Sequence, residues 1–216
     1  MMDAKKTTMF IGIMALAGVC GAATAQDAGL KGTWQVTARA TTVAPDASGA
    51  IVTAAGADSG LDVAVSDSTV PTLGFTYFVT DHVAVEAILG TSKHTIKAVG
   101  TGTNVEVHET WVLPPVITAQ YHFNTGGKVS PYLGAGINYM SWYGGKDLNG
   151  FKVRLKSSLG TAVQAGANVK LKDNLVLNID YKKVFYSTDA KINSGALSSD
   201  VTLDPSVVSI GLGYRF

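Results

Sequence analysis

Five charged residues, Arg39, Glu86, Asp180, Lys182 and Arg215, stand in stretches where polar and apolar side chains alternate. Charges confined to one face of an extended chain must turn towards each other if that face is enclosed, because an unpaired buried charge is expensive. The five are predicted to form an inward-facing polar network with a structural role. The histidines are the other candidates for chemistry: His82, His94, His108 and His122. None has metal-ligand spacing with another histidine or an acid cluster. The stretch VEVHET brings Glu106, His108 and Glu109 together, which is a weak cation site at best. His94 or His108 could supply an acid–histidine pair on a rim. No G-x-S-x-G elbow or phosphate-binding loop accompanies them. The chain is therefore expected to be no enzyme and to hold no metal and no cofactor.

What positions those side chains is a series of strands. Period-two alternation recurs in eight segments, roughly Thr33–Val43, Thr72–Thr80, Val83–Gly90, Val116–Phe123, Pro131–Trp142, Gly160–Leu171, Leu175–Tyr186 and Val207–Phe216. Such lengths suit tilted membrane-spanning strands of about 9–11 residues. The connections alternate. Those at 80–82, 124–128 and 172–174 are short and carry Asp, Asn or Gly for turns. Those at about 44–71, 91–115, 143–159 and 187–206 are long and rich in Gly, Ser, Thr, Asn and Asp. Short turns at one end and long loops at the other predict an all-β, eight-stranded antiparallel transmembrane barrel, with short periplasmic turns and long extracellular loops.

The ends of the chain agree with that topology. Lys5 and Lys6 precede an apolar run from Met9 to Ala23, and Ala-Thr-Ala at 23–25 offers a cleavage site. Residues 1–25 are predicted to be a cleaved secretory signal peptide, and 26–216 a single barrel domain. The run is too short for a membrane-spanning helix of about 20 residues. Cys20 lies within it, so the remaining chain has no thiol chemistry. Loss of Lys5, Lys6 and Asp3 leaves that chain near neutral, which gives no sign of nucleic-acid binding. At the other end the chain stops inside a strand, SIGLGYRF, with Val208, Ile210, Leu212, Tyr214 and Phe216 on one face. A sheet in hydrocarbon cannot leave an edge unpaired, so the last strand is predicted to close on the first.

The alternating faces differ in kind. One carries Trp34, Leu73, Phe75, Tyr77, Val85, Leu89, Ile117, Tyr121, Leu133, Ile137, Leu177, Ile179 and Ile210. The other carries Gln35, Thr37, Thr76, Thr118, Gln120, His122, Asn138, Gln164, Asn168 and Asn178 beside the five charges. The second set is too polar for lipid and is assigned to the lumen. Near the extracellular ends the inward set turns apolar: Val43, Ile88, Val116, Met140, Trp142, Ala162, Val184, Tyr186 and Val207. Near the periplasm it stays polar, with Gln35, Gln120, His122, Asn168, Lys170, Asn178 and Arg215. Eight strands enclose room for side chains or one small ligand. An apolar solute is expected to enter between the long loops and to contact Trp142, Met140, Ile88, Val116, Tyr186, Val184 and Val43. With the floor blocked, release would be sideways into the bilayer, through a seam near Pro114, Pro115 or Pro205, where proline withholds a ladder donor.

Several motifs in order and spacing are similar to one family. GFTYFVTDHVAVE (Gly74–Glu86), LPP (Leu113–Pro115), PYLGAGINY (Pro131–Tyr139), AVQAGANV (Ala162–Val169), LDP (Leu203–Pro205) and the final GYRF resemble the OmpW family of small outer-membrane proteins. The resemblance implies an eight-stranded barrel with an apolar lumen in the outer membrane of a Gram-negative bacterium, passing small hydrophobic molecules. It also implies that the barrel-assembly machinery reads a C-terminal signal matched by Val208, Ile210, Leu212, Tyr214 and Phe216. Outer-membrane lipids and lipopolysaccharide are the other expected partners. The cations available for lipopolysaccharide phosphates are Lys93, Lys97, Lys146, Lys152, Arg154, Lys156 and Lys183. Two alternatives stay open on sequence: a structural or adhesive barrel with a plugged lumen, and a secreted lipocalin-like carrier, whose first-strand Gly-x-Trp is echoed at Gly32–Trp34.

Overall fold

The computed structural model describes residues 29–216, so the predicted signal peptide lies outside the described residues. In chain order the strands are β1 (Trp34–Ala44), β2 (Ala50–Thr53), β3 (Asp58–Val65), β4 (Ser68–Phe78), β5 (Val83–Gly90), β6 (Ser92–Gly100), β7 (Thr103–Leu113), β8 (Val116–His122), β9 (Val129–Asp147), β10 (Val153–Leu155), β11 (Ser158–Lys172), β12 (Leu175–Phe185), β13 (Ser187–Ile192), β14 (Leu197–Thr202) and β15 (Ser206–Arg215). Eight of them, β1, β4, β5, β8, β9, β11, β12 and β15, pair in that order with antiparallel neighbours and close into a barrel. Closure runs from Gln35 opposite Arg215 to Ala44 opposite Ser206. It extends to the last residue, with Trp34 N donating to Phe216 O and Phe216 N to Trp34 O, each at 2.9 Å. β15 is thus the stave that closes the wall on β1.

The outer wall is apolar. Leu133 is 57% exposed and Ile210 53%. Side chains of this type standing in water in such numbers would be an aggregation surface; in lipid they are solvated. At the short-turn end Trp34, Tyr77, Tyr121, Phe123, Tyr214 and Phe216 face out, and at the other Trp111, Tyr139 and Tyr143 do. These are the two aromatic girdles of a membrane barrel. Inside the wall Gln35, Thr37, Arg39, Glu86, Gln164, Asn178, Asp180 and Lys182 are buried. A lipocalin-like carrier requires the opposite arrangement, and this polarity rules it out.

The long connections depart from the sequence expectation. They are not irregular loops but carry β2, β3, β6, β7, β10, β13 and β14. Together with the upper part of β9 these make a second sheet in the order β10-β13-β14-β2-β3-β6-β7-β9. The physical reason is a core of its own. Ile51, Val63, Ile96, Ala98, Val107, Ala190, Ile192 and Val201 turn inward and are buried, while Glu106, Asp189, Lys191 and Asp200 face out. Above the membrane the solvent outside is water, so the alternation inverts. The wall continues, and its oily face becomes its inner one.

Candidate functional site: an apolar cavity above a polar floor

The mid-lumen is filled by one hydrogen-bonded cluster. Arg39, on β1, places Nη2 2.5 Å from Glu86 Oε1 and donates from Nε to Asn178 Oδ1 at 2.8 Å. Lys182 lies 3.2 Å from Glu86 Oε2 and also bonds Asp180. Gln164 Nε2 donates to Glu86 and to Asp180, and Tyr132 OH donates to Asp180 Oδ2 at 2.6 Å. Two cations and two carboxylates thus balance across three strands, β1, β5 and β12. Room for the long side chains comes from glycine. A Cβ on Gly74 would stand 2.2 Å from Arg39 Nη1, and one on Gly166 would stand 2.4 Å from the Tyr132 ring.

Arg215 does not share in this ion pairing. Among the described residues no carboxylate lies within salt-bridge reach of it. Its Nε donates to Gln35 Oε1 at 2.9 Å, and its guanidinium lies over the Phe78 ring at 5.6 Å. The floor is also less uniformly polar than the sequence reading held. Phe78 and Val176 are fully buried there, and His122 lies 4.9 Å from Phe78 and 4.7 Å from Tyr132, ring centre to ring centre. Lys170, assigned to the floor from sequence, is exposed beside the bulge at 170–172. Tyr132 and Phe78 are lumen residues that the polar pattern of the sequence does not mark. Their parity was the available signal, since each shares a face with known lumen residues: Tyr132 with Asn138, and Phe78 with Thr76.

Above the cluster lies a cavity of about 860 Å³, counting its open mouth. Val43, Ile88, Val116, Met140, Trp142 and Val184 line it, which are six of the seven residues expected from sequence to contact a ligand. Tyr186 is not in its wall. It is buried behind Trp142, whose Nε1 lies 3.4 Å from the Tyr186 hydroxyl, and that hydroxyl donates to Lys156 O. A second apolar cavity lies inside the extracellular sheet, and Val65, Trp142 and Leu203 line both. Trp142 therefore stands at the junction of an outer and an inner chamber.

The wall beside the inner chamber is interrupted. Between the pairs Ile88–Val116 and Ser92–Val112 the ladder joins none of residues 89–91 to 113–115, although Leu89 and Gly90 stay paired to Leu73 and Thr72 on β4, and Leu113 to Ser141 on β9. Pro114 and Pro115 supply no donor there. Gly90, Thr91 and Pro114, from the two margins of this gap, line the chamber. The side chains of Thr91 and Tyr143 hydrogen-bond near it. Pro205 behaves differently. Its carbonyl accepts from Val184 N, Leu203 N donates to Tyr186 O, and Asp46 N donates to Leu203 O, so the ladder is continuous there. Of the two seams expected from sequence, only the one at Pro114–Pro115 lacks ladder pairing among the described residues.

The histidines take structural places. His94 is buried in the chamber wall. Its Nδ1 lies 2.7 Å from Ser66 O, so that nitrogen carries the proton, and Nε2 lies 2.8 Å from Ser92 Oγ. Burial holds its pKa below the usual histidine value. His108 Nδ1 contacts Asp147 Oδ1 at 2.9 Å, and Asp147 also accepts from Val153 N, stapling β9 to β10. Glu106 and Glu109 turn instead to Lys97 and Lys93, so the cluster foreseen in VEVHET does not assemble. Most of the extracellular cations are engaged likewise. Arg154 faces Asp147, Lys156 faces Asp189 and Lys183 bonds Asp204 O, whereas Lys146 and Lys152 have no ion-pair partner among the described residues.

Comparison with known proteins places this architecture. The model of the OmpW family matches residues 30–216. The outer-membrane protein y4mB of Sinorhizobium fredii is 38% identical over 187 residues, spanning 85% of this chain and 80% of that one. The dibenzothiophene metabolism operon protein PahQ of Pseudomonas aeruginosa is 29% identical over 187 residues, spanning 85% of this chain and 88% of that one. The crystal structure of the outer membrane protein OprG from Pseudomonas aeruginosa superposes with a TM-score of 0.80 at 28% identity, over 87% of this chain and 97% of that chain.

Proposed function

This chain belongs to the OmpW family and is an outer-membrane β-barrel protein, and on that premise we propose that it conducts small hydrophobic molecules from the cell exterior into the outer membrane. The ligand enters the apolar interior of the extracellular sheet and passes Trp142. It occupies the chamber walled by Val43, Ile88, Val116, Met140 and Val184, and leaves sideways between 89–91 and 113–115. The observation that carries this reading is the pairing of an apolar chamber with a gap in the ladder of its own side wall, above a floor filled by buried, hydrogen-bonded side chains. Water-filled porins need a polar lumen throughout. Here Arg39 and Lys182 are balanced by Glu86 and Asp180 at the base of the chamber, and most of the lining above them is apolar. The name of the relative PahQ, which ties that protein to dibenzothiophene metabolism, fits a hydrophobic cargo. No reaction chemistry enters this role, and the family is not an enzymatic one.

Two partner assignments accompany it. The outward row Val208, Ile210, Leu212, Tyr214 and Phe216 is the surface offered to the barrel-assembly machinery before closure. Lys146 and Lys152 are the cations left for lipopolysaccharide phosphates. The test is transfer of a fluorescent polyaromatic from water into vesicles bearing the refolded protein. Transfer above the protein-free rate, reduced several-fold by Trp142→Ala, is expected. Equal rates with and without protein would overturn the assignment.

A further inference from the structure

At the base of the chamber, where the apolar wall meets the charged cluster, stands Asn138. It is 1% exposed, on β9, paired across to Val116 and Gly160. Asn138 is among the residues lining the chamber, and among the described residues neither its buried Nδ2 nor its buried Oδ1 has a hydrogen-bond partner. The other buried lumen amides are all bonded. Gln35 bonds Thr37 and Arg215, Gln120 bonds Gln164, Gln164 bonds Glu86 and Asp180, and Asn178 bonds Asn168. A buried amide with both its donor and its acceptor idle costs free energy unless something binds it. The backbone makes space for it: a Cβ on Gly160 would lie 2.4 Å from Asn138 Oδ1.

We infer that Asn138 is the head-group subsite of the chamber, and that the cargo is an amphiphile whose uncharged head both donates and accepts a hydrogen bond. A primary alcohol or a carboxamide fits; a bare hydrocarbon leaves the site unused. The head is uncharged because the cluster beneath is already balanced. Arg39 and Lys182 face Glu86 and Asp180, so a further ion would be buried without compensation. The apolar tail runs upward. Asn138, Met140 and Trp142 share the inner face of β9, and four residues of strand place Trp142 about 13 Å above Asn138 at roughly 3.3 Å per residue. This inference rests on the proposed role of the chamber and adds the class of ligand it selects.

The experiment uses Trp34→Phe/Trp111→Phe protein in vesicles, so that Trp142 is the sole emitter. The probes are 1-bromodecane, 10-bromodecan-1-ol and 10-bromodecanamide, compared at equal membrane concentration. The expected result is quenching by all three, with the alcohol and the amide binding about three- to tenfold more tightly than the bromoalkane, as one or two neutral hydrogen bonds allow. Asn138→Leu should abolish that preference while keeping bromoalkane binding, with folding checked by the gel-mobility shift on heating. Equal affinity of all three probes for the Asn138 protein overturns the inference, whatever the leucine variant does, and leaves the chamber's role standing. A preference that survives Asn138→Leu overturns it too. Failure of every probe to quench Trp142 would remove the premise, and with it the proposed function.

Discussion

The membrane-embedded wall and the extracellular sheet are built from the same period-two strands, yet they bury opposite faces. In the membrane Leu133 and Ile210 face out while Glu86 and Asp180 face in; above it Glu106 and Lys191 face out while Ile96 and Ile192 face in. Nothing in strand geometry sets this. The surrounding solvent does, lipid below and water above, and the lumen takes whatever character the outside leaves to it. Where the two regimes meet, at Val116, Asn138, Met140 and Val184, the interior passes from a charge-balanced cluster to an oily chamber. The candidate site lies at this inversion.

The comparison breaks most severely if the floor is disturbed. Glu86→Ala leaves Arg39 and Lys182 with only Asp180 to balance them, and should cost about 3–5 kcal/mol, the penalty for orphaning a buried charge, read from urea unfolding of the refolded barrel. On the outer wall of the same region, Leu212→Lys should cost about 2–4 kcal/mol if that side chain meets mid-bilayer lipid. A lysine at Asp200, outward in the extracellular sheet, should change stability by less than about 0.5 kcal/mol, since the solvent there is water. Similar costs at 212 and 200 would dissolve the distinction between the two regimes.

A smaller effect sharpens the upper region. His94 is held neutral, its pKa lowered by burial, with Nδ1 bonded to Ser66 O. A histidine whose folded pKa lies below its unfolded value of about 6.5 contributes its full stability above that pH and loses it as pH falls through the folded pKa. Amide exchange at Thr95, whose N–H donates to Ser66 Oγ, should therefore accelerate at acid pH beyond its intrinsic rate, and the acceleration should vanish in His94→Gln. Unchanged protection would mean that His94 does not hold that corner.

The barrel strands were legible because each long segment alternates between lipid and lumen, and the two solvents differ enough to mark every second residue. Arg39, Glu86, Asp180 and Lys182 were legible for the same reason, as inward charges of both signs that had to meet. The extracellular strands were not. Segments such as STDAKI and LSSDVT are short, and Ser and Thr serve on either face, so their pattern reads as loop. Arg215 misled because a cation at the rim can rest on an aromatic face and an amide rather than an acid. The open seam was half legible. Proline marks where a donor is missing, but whether neighbouring strands bridge the gap depends on pairing that sequence does not display, and Pro205 and Pro114 differ in that respect.

The lateral gap is the claim on which the transport reading turns, and it can be closed on demand. Residues 26–216 contain no cysteine, so Thr91→Cys and Pro114→Cys can be bridged across the gap by a reducible bifunctional thiol reagent in vesicles. Bridging should bring transfer of a hydrophobic probe into the bilayer down to the protein-free rate, and reduction should restore it. Transfer that continues undiminished through the bridged barrel would contradict the account.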